Sequence, residues 1–173
     1  MRHIETSAEV RTAAEPVRFM TQSDIRDLKD GAARNDSGKL RLCLHRELDD
    51  PVHEMCIVHL AHVFVPPHKH IGREESFLVI EGRALLVLFD TAGNPDVVQE
   101  VGNYASGLPF YCRIPENTYH CLHFLSEAFV FHEVTQGPFL PESSAFAPFA
   151  PPPDSSEAIN TFRAFLASLK EVR

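Results

Sequence analysis

The chain has only four cysteines, Cys43, Cys56, Cys112 and Cys121, and no two stand in C-x-x-C spacing. Each lies in an apolar run, so buried reduced thiols are expected, not a redox pair or a thiolate metal site. A basic run is also missing: 16 Lys and Arg stand against 24 Asp and Glu, for a formal charge of −8. That balance disfavours nucleic acid and anionic membrane surfaces as partners. No stretch of about 18 apolar residues occurs. The opening MRHIETSAEVRTAAEP lacks the apolar centre of a secretory signal, so a cytoplasmic location is expected. There is no internal repeat, Ser-His-Asp arrangement, phosphate-cradling glycine loop or dinucleotide fingerprint.

What remains is ordinary globular material. At 173 residues and 44% hydrophobic, the chain suffices for one domain with a real core and without disulfides. Residues 1–20 show no clear period and suggest an N-terminal arm. Thr21-Gln22-Ser23-Asp24 resembles a helix start, and Ile25 and Leu28 continue a weak apolar face to about Ala33. Asn35-Asp36-Ser37-Gly38 then forms a turn. From 39 to 134 the texture changes to short apolar or alternating runs: 40–45, 54–65, 76–82, 83–90, 96–101, 110–115, 119–125 and 128–134. Asp90 to Pro95 makes a hairpin loop and Gly82 a tight one. Such closely spaced strands without intervening helices predict an all-β sandwich or jelly-roll barrel. Several are apolar on both faces, as when one side lines an interior and the other meets a second sheet or subunit.

Residues 137–153 hold six of the thirteen prolines and suggest an extended strap anchored by Phe139, Phe146 and Phe149. Asp154 would cap a last helix, with Glu157 at the capping-box position and an apolar stripe of Ile159, Phe162, Phe165, Leu166 and Leu169. The expected organisation is an arm (1–20), a barrel with its N-terminal helix (21–136), and a strap plus C-terminal helix (137–173).

The residues that most narrow the chemistry lie in PHKHIGREESFLVIEG (67–82) and PENTYH (115–120). In a strand, His68 and His70 point to one side because side chains alternate faces. Glu75 follows, and His120 arrives after a proline turn. Imidazole and carboxylate donors together suit one divalent transition metal: Zn, Fe, Mn, Ni or Co. Histidines are ten in all, and His45, His59, His62, His123 and His132 are expected to be ordinary strand residues, with His45 and His62 as candidate pocket-wall groups.

This pattern resembles the cupin superfamily. Its first motif is G-x5-H-x-H-x3/4-E-x6-G, which His68, His70, Glu75 and Gly82 fit, with His62 at the leading glycine. Its second is G-x5-P-x-G-x2-H-x3-N, which Pro115 and His120 fit. Asn117 stands at the second glycine, a substitution suited to the left-handed backbone of a turn. Pro109 and Phe124 depart from the pattern. Glu74 competes with Glu75 for the carboxylate role, and the interval to Gly82 favours Glu75. More narrowly, residues 25–153 look like WbuC-type cupin-fold metalloproteins, often associated with surface-polysaccharide gene clusters. The matching segments include LCLHRELDDPVHEM, FVPPHKH, ESFLVIEG and LFDTAGN. His45 matches that family's Asn-Leu-His triplet, whereas Cys43 replaces the Asn.

The resemblance implies a single-domain cupin barrel holding His68, His70, Glu75 and His120 around one ion, leaving one net positive charge for a small anionic oxygen donor. Two functions follow: a metalloenzyme, such as an isomerase or oxygenase acting on a carbohydrate-related metabolite, or a binding module that senses or carries one. A second titratable group in the pocket would separate them, with Glu74, His62, Tyr111 and Tyr119 as candidates. Arg113, near the mouth, could hold a carboxylate or phosphate, or simply face solvent. A metal-free epimerase would need a His-Asp pair, and none is evident. Open strand edges and the apolar last helix make a homodimer the natural expectation.

Overall fold

The computed structural model describes residues 1–169. Its elements in chain order are β1 (His3–Ser7), β2 (Val10–Ala13), α1 (Gln22–Ala33), β3 (Lys39–Cys43), β4 (Val52–Leu60), β5 (His68–His70), β6 (Glu75–Glu81), β7 (Arg83–Phe89), β8 (Pro95–Gly102), β9 (Tyr111–Ile114), β10 (Tyr119–Phe124), β11 (Ala128–Gln136), β12 (Ser144–Phe146) and α2 (Ser156–Ser168). Two sheets face one another, one ordered β1-β2-β3-β4-β11-β6-β9 and the other β12-β5-β10-β7-β8. This is the predicted jelly-roll barrel. No described helix is long and apolar enough to cross a membrane.

Alternation explains why the strands are apolar on both faces. On β4, Met55 and Ile57 point between the sheets and join Phe77, Val79, Phe129 and Phe131. Cys56 and Val58 point out and meet Leu28 and Ala32 of α1. The smaller sheet repeats the arrangement, with Val87, Val98 and Cys121 facing Leu166 of α2. The outer faces are therefore closed by helices of the same chain. Cys43, Cys56 and Cys121 are buried and Cys112 half-buried, all unpaired, as expected.

Backbone details follow the local chemistry. The Thr21 backbone N–H donates to Asp24 Oδ2 at 2.7 Å, which starts α1 as predicted. Gly31 permits α1 to lie close on β3, since a Cβ there would sit 2.5 Å from Leu40 Cδ2. Gly82 has φ +87, but β6 and β7 belong to different sheets. It is therefore a corner where the chain crosses the barrel, not the expected hairpin. The hairpin at Asp90 is present, with Asp90 Oδ1 accepting from the Asn94 N–H at 2.8 Å.

Three expectations change. The opening residues contain a hairpin, β1–β2, whose second strand runs parallel to β3. The strap is anchored mainly by Phe149, which packs on Phe89 and Tyr119, while Phe146 is 73% exposed. Phe146 sits on three-residue β12, whose alternation turns it outward beside half-buried Ala145. The cap of α2 is Ser155, one residue after Asp154, and its side chain accepts from the Ala158 N–H at 3.2 Å. Residues 170–173 of the expected last segment lie outside the described residues.

Candidate metal centre

β5 is only three residues long, so its placement depends on its neighbours. On one side His68 is in register with His120 of β10. On the other, Ser144 of β12 is in register with His70. Lys69, between the two histidines, points the opposite way and lies 4.8 Å over the Tyr119 ring. The turn before β10 joins the two motifs directly: Asn117 has φ +61, and its N–H donates to the His70 carbonyl at 2.7 Å. Asn tolerates this left-handed backbone, as its place in the motif suggested.

The three imidazoles converge, each offering a nitrogen within 4.8 Å of the others. Their remaining ring nitrogens are anchored. His68 Nδ1–H donates to the Pro66 carbonyl at 2.9 Å, and His120 Nδ1–H to the Thr118 carbonyl at 2.9 Å. His70 Nδ1 lies 2.9 Å from Ser144 Oγ. The two carbonyl bonds fix the His68 and His120 rings with Nε2 inward, as metal ligation through Nε2 requires, and Ser144 orients the His70 ring.

Glu75 reaches the cluster from the opposite sheet. Its carboxylate lies 2.9 Å from His70 Nε2 and 2.8 Å from His120 Nε2. Burial alone would raise its pKa, but the hydrogen bonds and charge of His120 and His70 hold it well below the usual carboxylate range. His120 loses basicity by burial and regains more from Glu75, so its pKa is raised. With Nδ1–H already donated to Thr118, the contact of Nε2 with the Glu75 carboxylate favours the charged ring. His68 goes the other way: burial and the neighbouring His120 lower its pKa to about 4. The donor set fits a divalent ion, which would take the place of the proton that His120 shares with Glu75.

The other sequence candidates separate cleanly. Glu74 faces outward and pairs with Arg113, so the carboxylate ambiguity resolves toward Glu75 by strand alternation. Tyr111 is 54% exposed, and Arg113 is exposed beside it, because Cys112 and Ile114 take the inward positions of β9. Neither belongs to the pocket. His62 is also exposed, in the turn after β4, where α2 reaches over and Arg163 donates to its carbonyl at 3.0 Å. Tyr119 packs on Phe149 outside the barrel. His45 does line a cavity, stacked on His53 with ring centroids 4.0 Å apart.

Glu133 escaped the sequence reading, and His59 was set aside there as an ordinary strand histidine. The metal cluster opens on a cavity of about 290 Å³ that also touches His59 and Glu133. Glu133 follows Phe129 and Phe131 on the inward face of β11. Burial pushes its carboxyl up to about 8, helped by the charge of Glu75 and opposed by Arg41 and Arg73. His59 sits edge-on to Phe124 and is held neutral, burial lowering its pKa to about 3. A second cavity, of about 380 Å³, shares Glu133 and Arg41 with the first and reaches His70 and Arg73. The period-two alternation of β11 already placed Glu133 inside.

The barrel and its inward histidines define a protein of cupin fold. A family described as a domain of unknown function (DUF6016) matches residues 20–101, just under half of the chain. None of the curated proteins matches it. Among solved structures, CapF with the inhibitor 3-isopropenyl-tropolone superposes with TM-score 0.51 at 18% identity, covering 64% of this chain and 32% of that one. Others are the 11S allergen from Cocos nucifera (TM-score 0.49, 17% identity, 60% and 29% covered) and oxalate decarboxylase from Bacillus subtilis (TM-score 0.47, 19% identity, 57% and 24% covered). The chain spans about a quarter of the length of the first solved structures it matches. At these identities the likeness is one of fold.

Proposed function

We propose that the protein is a mononuclear metalloenzyme in which His68, His70, Glu75 and His120 hold one divalent ion and a small oxygenated anion is the substrate. The observation that carries this reading is the convergence of three Nε2 atoms and a buried carboxylate, each imidazole anchored through Nδ1, on one cavity. A bound divalent ion would supply Lewis acidity, polarising a carbonyl or hydroxyl oxygen of the substrate. The chain supplies the rest. Glu133, partly protonated near neutral pH, can give a proton to a substrate oxygen or take one from a neighbouring carbon. Phe77 and Phe131 make the cavity wall apolar beside it. A carbohydrate-related acid suits both features, and a role in surface-polysaccharide biosynthesis is in keeping with the WbuC-type resemblance.

The experiment is elemental analysis of protein purified without added metal, followed by zinc titration of the stripped protein. One equivalent of a transition metal per chain is the expected result. An ion count near zero in both experiments rejects the centre. Glu133 favours turnover over mere ligand carriage, because it puts a carboxyl on the cavity wall shared with His68, Glu75 and His120, where a substrate proton could be given or taken. We also propose that two copies associate through the free edge of β9, where Leu78 and Tyr111 form an exposed cross-strand pair. Light scattering should then give twice the chain mass of 19.4 kDa.

A further inference from the structure

Arg73 is only 7% exposed, yet most of its guanidinium is unused. Nη2 donates to Ser144 Oγ at 3.1 Å. Nε and Nη1 are buried with no hydrogen-bond partner among the described residues. One face of the group is covered by Phe139, with the ring centroid 5.5 Å from Cζ. A buried cation with free donors is costly unless an acceptor meets it. Arginine's planar fork is also the side chain best matched to a carboxylate or phosphate.

The surroundings supply the room. Arg73 lines the 380 Å³ cavity, which continues past Glu133 to the metal ligand His70 and has Arg41 at its rim. That volume is at the lower end of the range for small-molecule pockets. The wall opposite is apolar, with Val10, Leu48 and Met55, and the His45–His53 stack closes one side. Both rings there use a nitrogen on backbone, His45 Nδ1–H toward the Glu54 carbonyl and His53 Nε2–H toward that of Leu48. The cavity's permanent cations are Arg73 and Arg41, with Glu133 the one carboxyl lining it.

We infer that this cavity is an oxyanion subsite, in which Arg73 holds the carboxylate or phosphate of a small hydroxylated substrate and aims the remainder past Glu133 toward His70. The proposal deepens the metalloenzyme reading and rests on it for the substrate's direction. The demand of Arg73 for an acceptor is independent of it. A merely structural arginine, balancing the charge of Glu75 and Glu133, would leave anion affinity unchanged when replaced.

Calorimetric titration with gluconate, glucose 6-phosphate and neutral sorbitol tests this on metal-free and zinc-loaded protein. At least one of the two anions should bind the wild type and sorbitol should not, the tighter anion deciding between carboxylate and phosphate. Arg73→Gln should weaken that binding by at least about tenfold while zinc stoichiometry is unchanged. Should Arg73→Gln fail to fold, Arg73→Lys keeps the charge, loses the fork, and should still weaken binding by about threefold or more. Failure of both anions to bind the wild type, or equal binding by the folded variant, overturns the subsite. If zinc does not bind but Arg73-dependent anion binding persists in metal-free protein, the subsite stands and the metal centre falls.

Discussion

The two sheets of the barrel contribute different chemistry to one interior. The five-stranded sheet supplies three imidazoles, with His68 and His120 in register and His70 tied to Ser144 of β12. The seven-stranded sheet supplies the two inward carboxylates, Glu75 on β6 and Glu133 on β11. Neither sheet could make the centre alone. Soft, orientable donors come from strands whose backbone fixes the ring tautomer, and charge comes from across the gap. On the proposed reading the difference also divides labour: one sheet would position the metal, and the other would set the local charge and supply the proton donor.

Breaking this comparison starts with the ligands. His120→Ala should lower zinc affinity by about a thousandfold, beyond the ten- to hundredfold typical of losing an outer hydrogen-bond partner. Glu75→Gln, which keeps shape and three imidazoles, should cost less. Competition titration with a chelator measures both. A larger loss for Glu75→Gln would reverse the division and make the seven-stranded sheet the principal metal-holding side.

The chain's crossing between the sheets is the next weak point. Gly82 has φ +87, and a Cβ there would fall 2.3 Å from the Ala128 carbonyl oxygen. Gly82→Ala combines left-handed strain with a backbone clash and should destabilise the fold by about 2–4 kcal/mol. Urea denaturation monitored by circular dichroism gives the figure. A change below about 0.5 kcal/mol would mean that the sheets adjust freely at that corner.

Acid should separate the sheets without mutation. His68 and His59 are held neutral by burial, with pKa values of about 4 and about 3 against an ordinary 6.5. Between those values and 6.5 the unfolded chain binds the extra protons, so metal-free stability falls as pH drops through that window. His120 and Glu133 have the opposite sign: the raised pKa of His120 acts above 6.5, and that of Glu133 acts from about 8 down to 4.5, so within the window two lowered histidines outweigh one raised carboxyl. Zinc occupancy should also fall below about pH 6, as protons compete for the imidazoles. Full occupancy at pH 4 would exclude this ligand set.

Much of this was legible in the chain, for a physical reason. Strands such as β4, β7 and β11 have seven or more residues, so their period shows, and the intervals among His68, His70, Glu75 and Gly82 span two successive strands, β5 and β6, and the corner after them. β5 and β12 have three residues each and take their register from partners, which no local pattern encodes. The β1–β2 hairpin escaped for the same reason. Arg73 and Glu133 were readable but went unread. Arg73, Glu75, Phe77 and Val79 alternate onto one buried face, and a polar residue on an apolar face marks a site. Tyr111 and Arg113 were candidates by proximity to the second motif, although alternation places them outside.

The smallest effect tests alternation itself. Glu74 and Glu75 are adjacent, yet one pairs with Arg113 at the surface and the other sits among the imidazoles. An exposed ion pair contributes about 0–1 kcal/mol, because water screens both charges and ordering two side chains costs entropy. Glu74→Gln should therefore change stability by less than about 0.5 kcal/mol and leave zinc affinity within about twofold of wild type. Glu75→Gln, one residue along the chain, alters the same charge where the carboxylate is buried. A zinc-affinity loss for Glu74→Gln matching that of Glu75→Gln would mean that β6 slips by one residue in solution, exchanging which carboxylate the seven-stranded sheet presents to the interior.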